Sequence, residues 1–364
     1  MNQGLHWPGK YLRVVITGGG TAGHIYPAIE VAKKLVDHGL SIERIEFVGS
    51  KRGMESRLVP DEGFDIYLLP GRGVQRKLSV GSLVSIGSLI WAVVLATGHL
   101  LVHRPDVIVT TGGYAGFPVS VAGIILGVPL VVLEPNSVPG GANKLLSKFA
   151  SANTVAFPGT GLKREIVTGN PVRSDICEIG RERANRQIPF RESQQQSFNV
   201  LVFGGSLGAK RINDAIEQAA IELAERKDIV LIHIVGKRDW PGSPEPLIRR
   251  VLGDTQGNFD RLSYRPKEFE RDMPSALAEA DLVIARSGAT TVAELCASAS
   301  ASILVPLPRS PGDHQRANAL RLEQSGAALV IEDEACTGSK LAELIDRFCA
   351  DRNRIEQMRE AALG

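Results

Sequence analysis

The chain has few cysteines. Cys177, Cys296, Cys336 and Cys349 are the only four in 364 residues. None forms a Cys-x-x-Cys pair, and no Cys/His cluster has zinc spacing, so neither a disulfide scaffold nor a zinc module is indicated. Such thiols suit a reducing compartment. Aromatics make up 5%. No dense Lys/Arg run with interleaved aromatics occurs, so nucleic acid is not an expected partner. No Asp-x-Asp occurs, so a carboxylate-held metal under a nucleotide is not indicated; no metal and no other cofactor is expected. The G-x-x-x-x-G-K-[ST] phosphate loop is absent too. Met1 to Lys10 is polar and lacks an apolar core of signal-peptide length, which favours retention in the cytosol.

What is present fits two α/β domains. Hydrophobic residues are 43%, charged residues 23%, and mean hydropathy is +0.01, which excludes a disordered chain and a polytopic membrane protein. Net charge is only +2 but unevenly spread: residues 1–173 carry 17 Lys and Arg against 11 Asp and Glu, the remainder 25 against 29. A basic first half suits an anionic membrane surface or a phosphorylated substrate.

Short apolar runs read as buried parallel strands: Leu12–Thr17, Ile45–Val48, Val107–Val109, Leu130–Leu133 and Thr154–Phe157. Helical segments separate most of them. The polar segment Ser174–Ser197 reads as a linker. The pattern then restarts with Asn199–Phe203, Val230–Val235, Leu282–Ala285, Ser302–Pro306 and Ala328–Ile331. The first strand of each half leads into a G-G-[ST]-x-G turn, at Gly19 and Gly204, 185 residues apart. The expected fold is therefore two doubly wound α/β halves, with ligands at the carboxyl ends of the strands. Leu83 to Val102 has no Asp, Glu, Lys or Arg but several small polar residues. It reads as a buried or interfacial helix rather than a membrane span. The loop before it, with Arg72, Arg76, Lys77 and Leu78, suits anionic headgroups, or is an ordinary solvated loop.

Chemistry concentrates after these strands. Glycine turns let backbone N–H groups approach phosphate, and helix N-termini favour anions. His24 follows the first turn at a helix start, where the dipole disfavours a protonated ring; it can serve as a general base or simply bond the turn backbone. Glu134-Pro135-Asn136-Ser137 presents a carboxylate and an amide to a polyhydroxylated ligand, or is turn chemistry. Arg173 can reach phosphate or pair with a carboxylate. Arg286 to Glu294 opens a helix suited to a diphosphate, with Glu294 able to accept both ribose hydroxyls or to act as a capping-box carboxylate with Thr290 or Thr291. Pro311 to Asn318 offers partners for sugar hydroxyls.

Together, and in this order, these stretches resemble the MurG family. Its members add N-acetylglucosamine to the lipid-linked muramyl-pentapeptide precursor of bacterial peptidoglycan. The motifs are Gly19–His24, Glu134–Gly140, Gly169–Arg173, Gly204–Ala209, Arg286–Ala289, and Asp313–Gln315 with Asn318. They span about Val14 to Val330. The resemblance implies a GT-B architecture, two Rossmann-like domains facing across a cleft. Residues 1–173 would be the acceptor and membrane-binding domain and 174–345 the UDP-GlcNAc domain, with 346–364 a C-terminal helix returning to the first. It implies that Ser206 and Arg173 approach the donor diphosphate. Ala289, Thr290, Thr291, Val292 and Ala293 would line the nucleotide site, with Glu294 on the ribose and Glu270 beside the uracil. His314 and Gln315 would meet the sugar hydroxyls. Thr21, Ala22, Gly23 and His24 would face the acceptor, with Asn136 near the transferred sugar. The base would be His24, with Glu134 as the alternative. The implied partners are UDP-N-acetylglucosamine, undecaprenyl-diphosphate-linked MurNAc-pentapeptide and an anionic membrane surface, at the cytoplasmic face of the cell membrane. Another GT-B transferase acting on a different lipid or a small aglycone, and a non-catalytic UDP-sugar-binding protein, are the alternatives. Four features depart from the common pattern: Ala22 and Pro135 stand where Gly and Gln are frequent, Glu270 takes an often apolar position, and Ala297–Ala301 lacks the usual Gly and Pro.

Overall fold

The computed structural model describes residues 11–19, 22–70, 80–185, 197–205, 207–253 and 261–363. The chain divides into two compact units, Met1–Pro171 and Val172–Gly364.

In the first unit the strands are β1 (Val14–Thr17), β2 (Ile45–Ser50), β3 (Asp65–Leu69), β4 (Val107–Thr110), β5 (Leu130–Glu134), β6 (Ala152–Val155) and β7 (Glu165–Val167). All pair in parallel, in the order β3-β2-β1-β4-β5-β6-β7. Side chains alternate between the faces of a strand, and here each face has its own core. Val14 and Ile16 pack with Ile25 and Ile29 of α1 (Ala22–Asp37) and with Val59 of α2 (Glu55–Asp61). Val15 and Val48 pack on the opposite face with Ala96 and Leu100 of α3 (Val80–His103) and Val119 of α4 (Gly113–Ile125). Each such side chain taken from water contributes about 1.5–3 kcal/mol. A short α5 (Gly141–Leu146) follows β5.

The segment 83–102 is thus part of a surface helix. It buries Ala92, Ala96 and Leu100 at i, i+4 and i+8 against the sheet and exposes Ile90, Trp91 and Val94. No helix among the described residues is long and apolar enough to cross a membrane.

In the second unit the strands are β8 (Phe198–Phe203), β9 (Ile229–Ile234), β10 (Ser263–Lys267), β11 (Leu282–Ala285), β12 (Ser302–Leu304) and β13 (Ala328–Val330), all parallel, in the order β10-β9-β8-β11-β12-β13. Every residue of β8 and β9 is buried. The helices used below are α6 (Ser174–Ala184), α7 (Lys210–Glu222), α8 (Glu245–Leu252), α9 (Met273–Glu279), α10 (Ala289–Ala297), α11 (His314–Ser325), α12 (Gly338–Ala350) and α13 (Arg352–Leu363). Contacts of α13 with α6, α10, α11 and α12 lie inside this unit. Within it, Arg359 donates to the Ala280 carbonyl at 3.0 Å. Arg352 lies over the Phe198 ring at 4.5 Å.

The expected linker is a correction. Its first half is helix α6, and only 186–196 fall outside the described residues. Polarity misled because α6 buries an arginine. The Arg183 guanidinium donates to the carbonyls of Ser298 (2.6 Å), Ala299 (3.3 Å), Leu277 (2.8 Å), Ala278 (3.1 Å) and Ala280 (3.2 Å) and to Ser300 Oγ (3.0 Å). These acceptors end α9 and α10, where the helix dipole favours a cation. Burial pushes its pKa down to about 9, so it stays charged at neutral pH.

Arg183 holds the loop 297–301 that lacks glycine. Here α10 ends in a Schellman turn, with Ala299 N–H on the Cys296 carbonyl (3.0 Å) and Ser300 N–H on that of Leu295 (2.9 Å). Ala299 sits at φ 50°, where glycine is usual. The arginine clamp holds this strained loop. Arg183→Ala should remove about 3–5 kcal/mol by orphaning a cluster of buried carbonyls. Calorimetry should then show the second unit's melting transition lowered by roughly 6–20 °C; an unchanged transition would refute the clamp.

Candidate functional site

In both sheets the chain moves outward in opposite directions from one pair of neighbouring strands, β1/β4 in the first unit and β8/β11 in the second. At such a switch point the loops leave a crevice beyond the carboxyl ends. The glycine turns and the segments Thr111–Gly113 and Arg286–Gly288 stand at these ends.

In the first unit the two loops are tied together through His24. Its Nδ1 lies 2.8 Å from the Thr111 carbonyl oxygen, and Thr111 Oγ1 donates back to the His24 carbonyl at 2.9 Å. A carbonyl only accepts, so Nδ1 carries a proton, and in the neutral ring the lone pair lies on Nε2. Of the other acceptor-side residues, Thr21 lies outside the described residues, as does the side chain of Ala22, while Gly23 belongs to the first turn of α1.

Glu134 is 1% exposed. Its Oε1 accepts from Asn136 N (3.0 Å) and Asn136 Nδ2 (3.1 Å); its Oε2 accepts from Gly140 N (3.0 Å) and Asn143 Nδ2 (2.8 Å). Four donors fill the carboxylate's capacity. Glu134 therefore folds the Pro135–Gly140 loop and aims Asn136. Turn chemistry is what Glu134 carries out here.

Glu55 had no sequence signal. It is buried, and Oε1 accepts from Ser50 N at 2.9 Å. A Cβ at Gly19 would lie 2.6 Å from the Glu55 carboxyl carbon, and one at Gly53 would lie nearer still. Glycine at both positions lets a carboxylate sit under the first turn.

In the second unit, Ser206 lies outside the described residues. The turn around it packs back to back with the end of β9. Gly208 (φ +83°) and Gly236 (φ +86°) approach so closely that a Cβ on Gly236 would lie 2.2 Å from Gly208 N. Behind them runs a buried polar chain. Tyr264 donates its hydroxyl to His233 Nδ1 (2.9 Å), His233 Nε2 donates to Asn213 Oδ1 (3.1 Å), and Asn213 Nδ2 donates to the Val235 carbonyl (2.9 Å). Burial pushes the His233 pKa down to about 3, so the ring is neutral at physiological pH. The sequence reading missed this chain, because its members are 20 to 31 residues apart.

Helix α10 starts at Ala289 behind Gly288, with no side-chain cap. Glu294 is therefore no capping-box carboxylate. Its Oε1 faces Arg173 Nη2 at 3.4 Å, which brings together two predicted site residues 121 positions apart. Thr290, Thr291 and Ala293 are half-buried, while the Val292 side chain is in the core, so only its backbone can meet a ligand. Ser287 Oγ donates to the Gln315 carbonyl (2.8 Å), and Gln315 Oε1 accepts from Leu307 N (2.9 Å). His314 Nδ1 donates to the Pro311 carbonyl (2.6 Å). Arg286, by contrast, is structural: it is buried and donates to the carbonyls of Val305 and Pro306, both at 3.0 Å. Glu270 pairs with Lys267 (2.6 Å) and accepts from Asp272 N (3.0 Å). Burial resists its ionisation, but those hydrogen bonds win and its pKa is lowered. The loop residues Arg72, Arg76, Lys77 and Leu78 lie outside the described residues.

The comparisons with known proteins agree with the two-domain fold. Residues 14–155 match the glycosyltransferase family 28 N-terminal domain, and 199–364 the glycosyltransferase family 28 C-terminal domain. A UDP-N-acetylglucosamine--N-acetylmuramyl-(pentapeptide) pyrophosphoryl-undecaprenol N-acetylglucosamine transferase from Desulfitobacterium hafniense is 38% identical, covering 96% of this chain and 94% of that one. The protein of the same name from Shewanella frigidimarina is 36% identical, over 97% and 92%. The crystal structure of Acinetobacter baumannii MurG superposes with a TM-score of 0.73 at 30% identity, covering 96% of this chain and 93% of that one. Matches to both domains and identity along the whole length place the chain in glycosyltransferase family 28, as a member of its MurG family.

Proposed function

We propose that this chain transfers N-acetylglucosamine from UDP-GlcNAc to the C4 hydroxyl of MurNAc-pentapeptide on undecaprenyl diphosphate, with inversion at the anomeric carbon. The observation that carries the reading is identity over nearly the full length with transferases whose names state this donor, acceptor and transfer. Reaction chemistry then distributes roles. The acceptor oxygen attacks C1 while its proton moves to a base, and the C1–O bond to the diphosphate breaks. His24 is the base, because its Nδ1–H is spent on Thr111 and Nε2 carries the lone pair. Glu134 is a positioning residue, because its four bonds hold the Asn136 loop. Charge growing on UDP is met by the start of α10 and by Arg173, and Glu294 accepts the ribose hydroxyls. The turn around Ser206 approaches the diphosphate, and Gln315 with His314 meets the sugar.

The membrane reading rests on exposed side chains. Helix α5 and the turn after it present Lys144, Leu145, Lys148 and Phe149, with Phe149 62% exposed; Trp91 on α3 is 56% exposed. Basic and apolar groups alternating on a surface suit an anionic bilayer interface, such as the cytoplasmic face of the cell membrane.

Three outcomes follow. His24→Ala should lower kcat by about 10²–10⁴-fold and leave UDP affinity unchanged by calorimetry; near-normal turnover would remove His24 as the base. Glu294→Ala should weaken UDP binding by roughly 10–100-fold, the worth of hydrogen bonds to a charged group. The same variant should no longer distinguish UDP from 2′-deoxy-UDP; a retained preference would place the ribose elsewhere. The double variant W91E/F149E should sediment with phosphatidylglycerol vesicles at least about tenfold more weakly than wild type, and equal partition would refute this membrane face.

A further inference from the structure

Among the described residues, one cluster of metal-ligating side chains lies outside the site described above. His99 and His103 stand one turn apart near the end of α3, and Glu46 is the second residue of β2. The fold forces the three together. Leu100 of α3 is buried beside Val48, and Glu46 shares a face of β2 with Val48 by the two-residue period. The two histidines flank Leu100 and come down over Glu46. His99 Nε2 is 2.9 Å from Glu46 Oε2, and His103 Nδ1 is 3.7 Å from the same oxygen. All three ligand atoms lie within 4.8 Å of one another. The Tyr67 ring stacks on His99 at 3.9 Å and 10°, and His103 stacks on His99 at 4.0 Å and 22°.

We infer that Glu46, His99 and His103 form a binding site for a divalent first-row transition cation of the zinc type. Zinc bonds to nitrogen and oxygen are about 2.0–2.2 Å, which puts tetrahedral ligand atoms roughly 3.4 Å apart. The observed 2.9 and 3.7 Å straddle that spacing, so a small tilt that unstacks the imidazoles completes it. Two imidazoles and one carboxylate form a donor set that zinc, copper and nickel share. The fourth position opens on the side of His103, whose side chain is 49% exposed, and takes water.

Nearby charges act both ways. Asp65 is the register partner of Glu46 and adds negative potential. Arg13 donates to the His103 carbonyl at 3.0 Å and opposes a cation, while its own backbone N–H is held by Asp106 at 2.7 Å. Glu46 lies at the amino end of β2, whereas the glycine turns follow the carboxyl ends of their strands. The cation therefore takes no part in transfer; it pins the end of α3 to the sheet.

The test is a zinc titration of the full chain, stripped with chelator, in competition with a chromophoric chelator. One equivalent should bind with micromolar affinity or better. His103→Ala and Glu46→Gln should each weaken it at least about tenfold, and zinc should raise the Tm of the wild type but not of H103A. H103A removes a half-exposed ring, so its fold is retained. No stoichiometric binding up to about 100 µM zinc, or equal affinity in wild type and both variants, would overturn the site.

Discussion

A parallel sheet buried on both faces constrains everything else in this molecule. Its central strands β1, β8 and β11 are wholly buried and offer no side chain to a ligand. The candidate transfer residues therefore gather at the carboxyl edge, at strand ends, in loops and in the helices that follow. The crevice opens only where neighbouring strands send their chains in opposite directions, β1 beside β4 and β8 beside β11. The G-G-[ST]-x-G turns follow the first strand of each pair. Each must be glycine-rich, because something packs beneath it: the Glu55 carboxylate under Gly19, and the Gly236 backbone against Gly208.

Buried polar groups that build the loops differ from the candidate site residues. Glu134 is saturated and His233 neutral, while Arg183 and Arg286 spend their terminal nitrogens on main-chain carbonyls. Such groups cost several kcal/mol when one partner is lost, which makes them rigid supports rather than reagents. His24 and the Arg173–Glu294 pair differ. They are only partly buried: His24 lies in the first turn of α1, Arg173 just before α6 and Glu294 in the second turn of α10.

Much of this was legible in the sequence. Ten strands announced themselves as apolar runs, and the turn repeat exposed the two-unit plan. The expected Thr154–Phe157 strand lies slightly earlier, at Ala152–Val155. Three strands escaped for physical reasons. Glu165–Val167 is an exposed edge, Asp65–Leu69 is a partly exposed edge strand opening on a charge, and Ser263–Lys267 carries a proline and two charges. The segment 174–184 was misread because a helix that buries an arginine looks like a linker. Candidate residues within one motif could be named from the sequence; partnerships across the fold could not. Nothing near Glu55 points to Gly19, and nothing in the Glu134 motif shows that its carboxylate is already occupied by four N–H donors.

The most direct test of this account is amide hydrogen exchange on the full chain with and without UDP. The layout predicts slowed exchange in the second unit alone, over 204–209 and the first turn of α10 at 289–292, with 18–24 and 111–113 unchanged. Protection centred on 18–24 and 111–113, with 289–292 unaffected, would contradict it and move the nucleotide to the first unit.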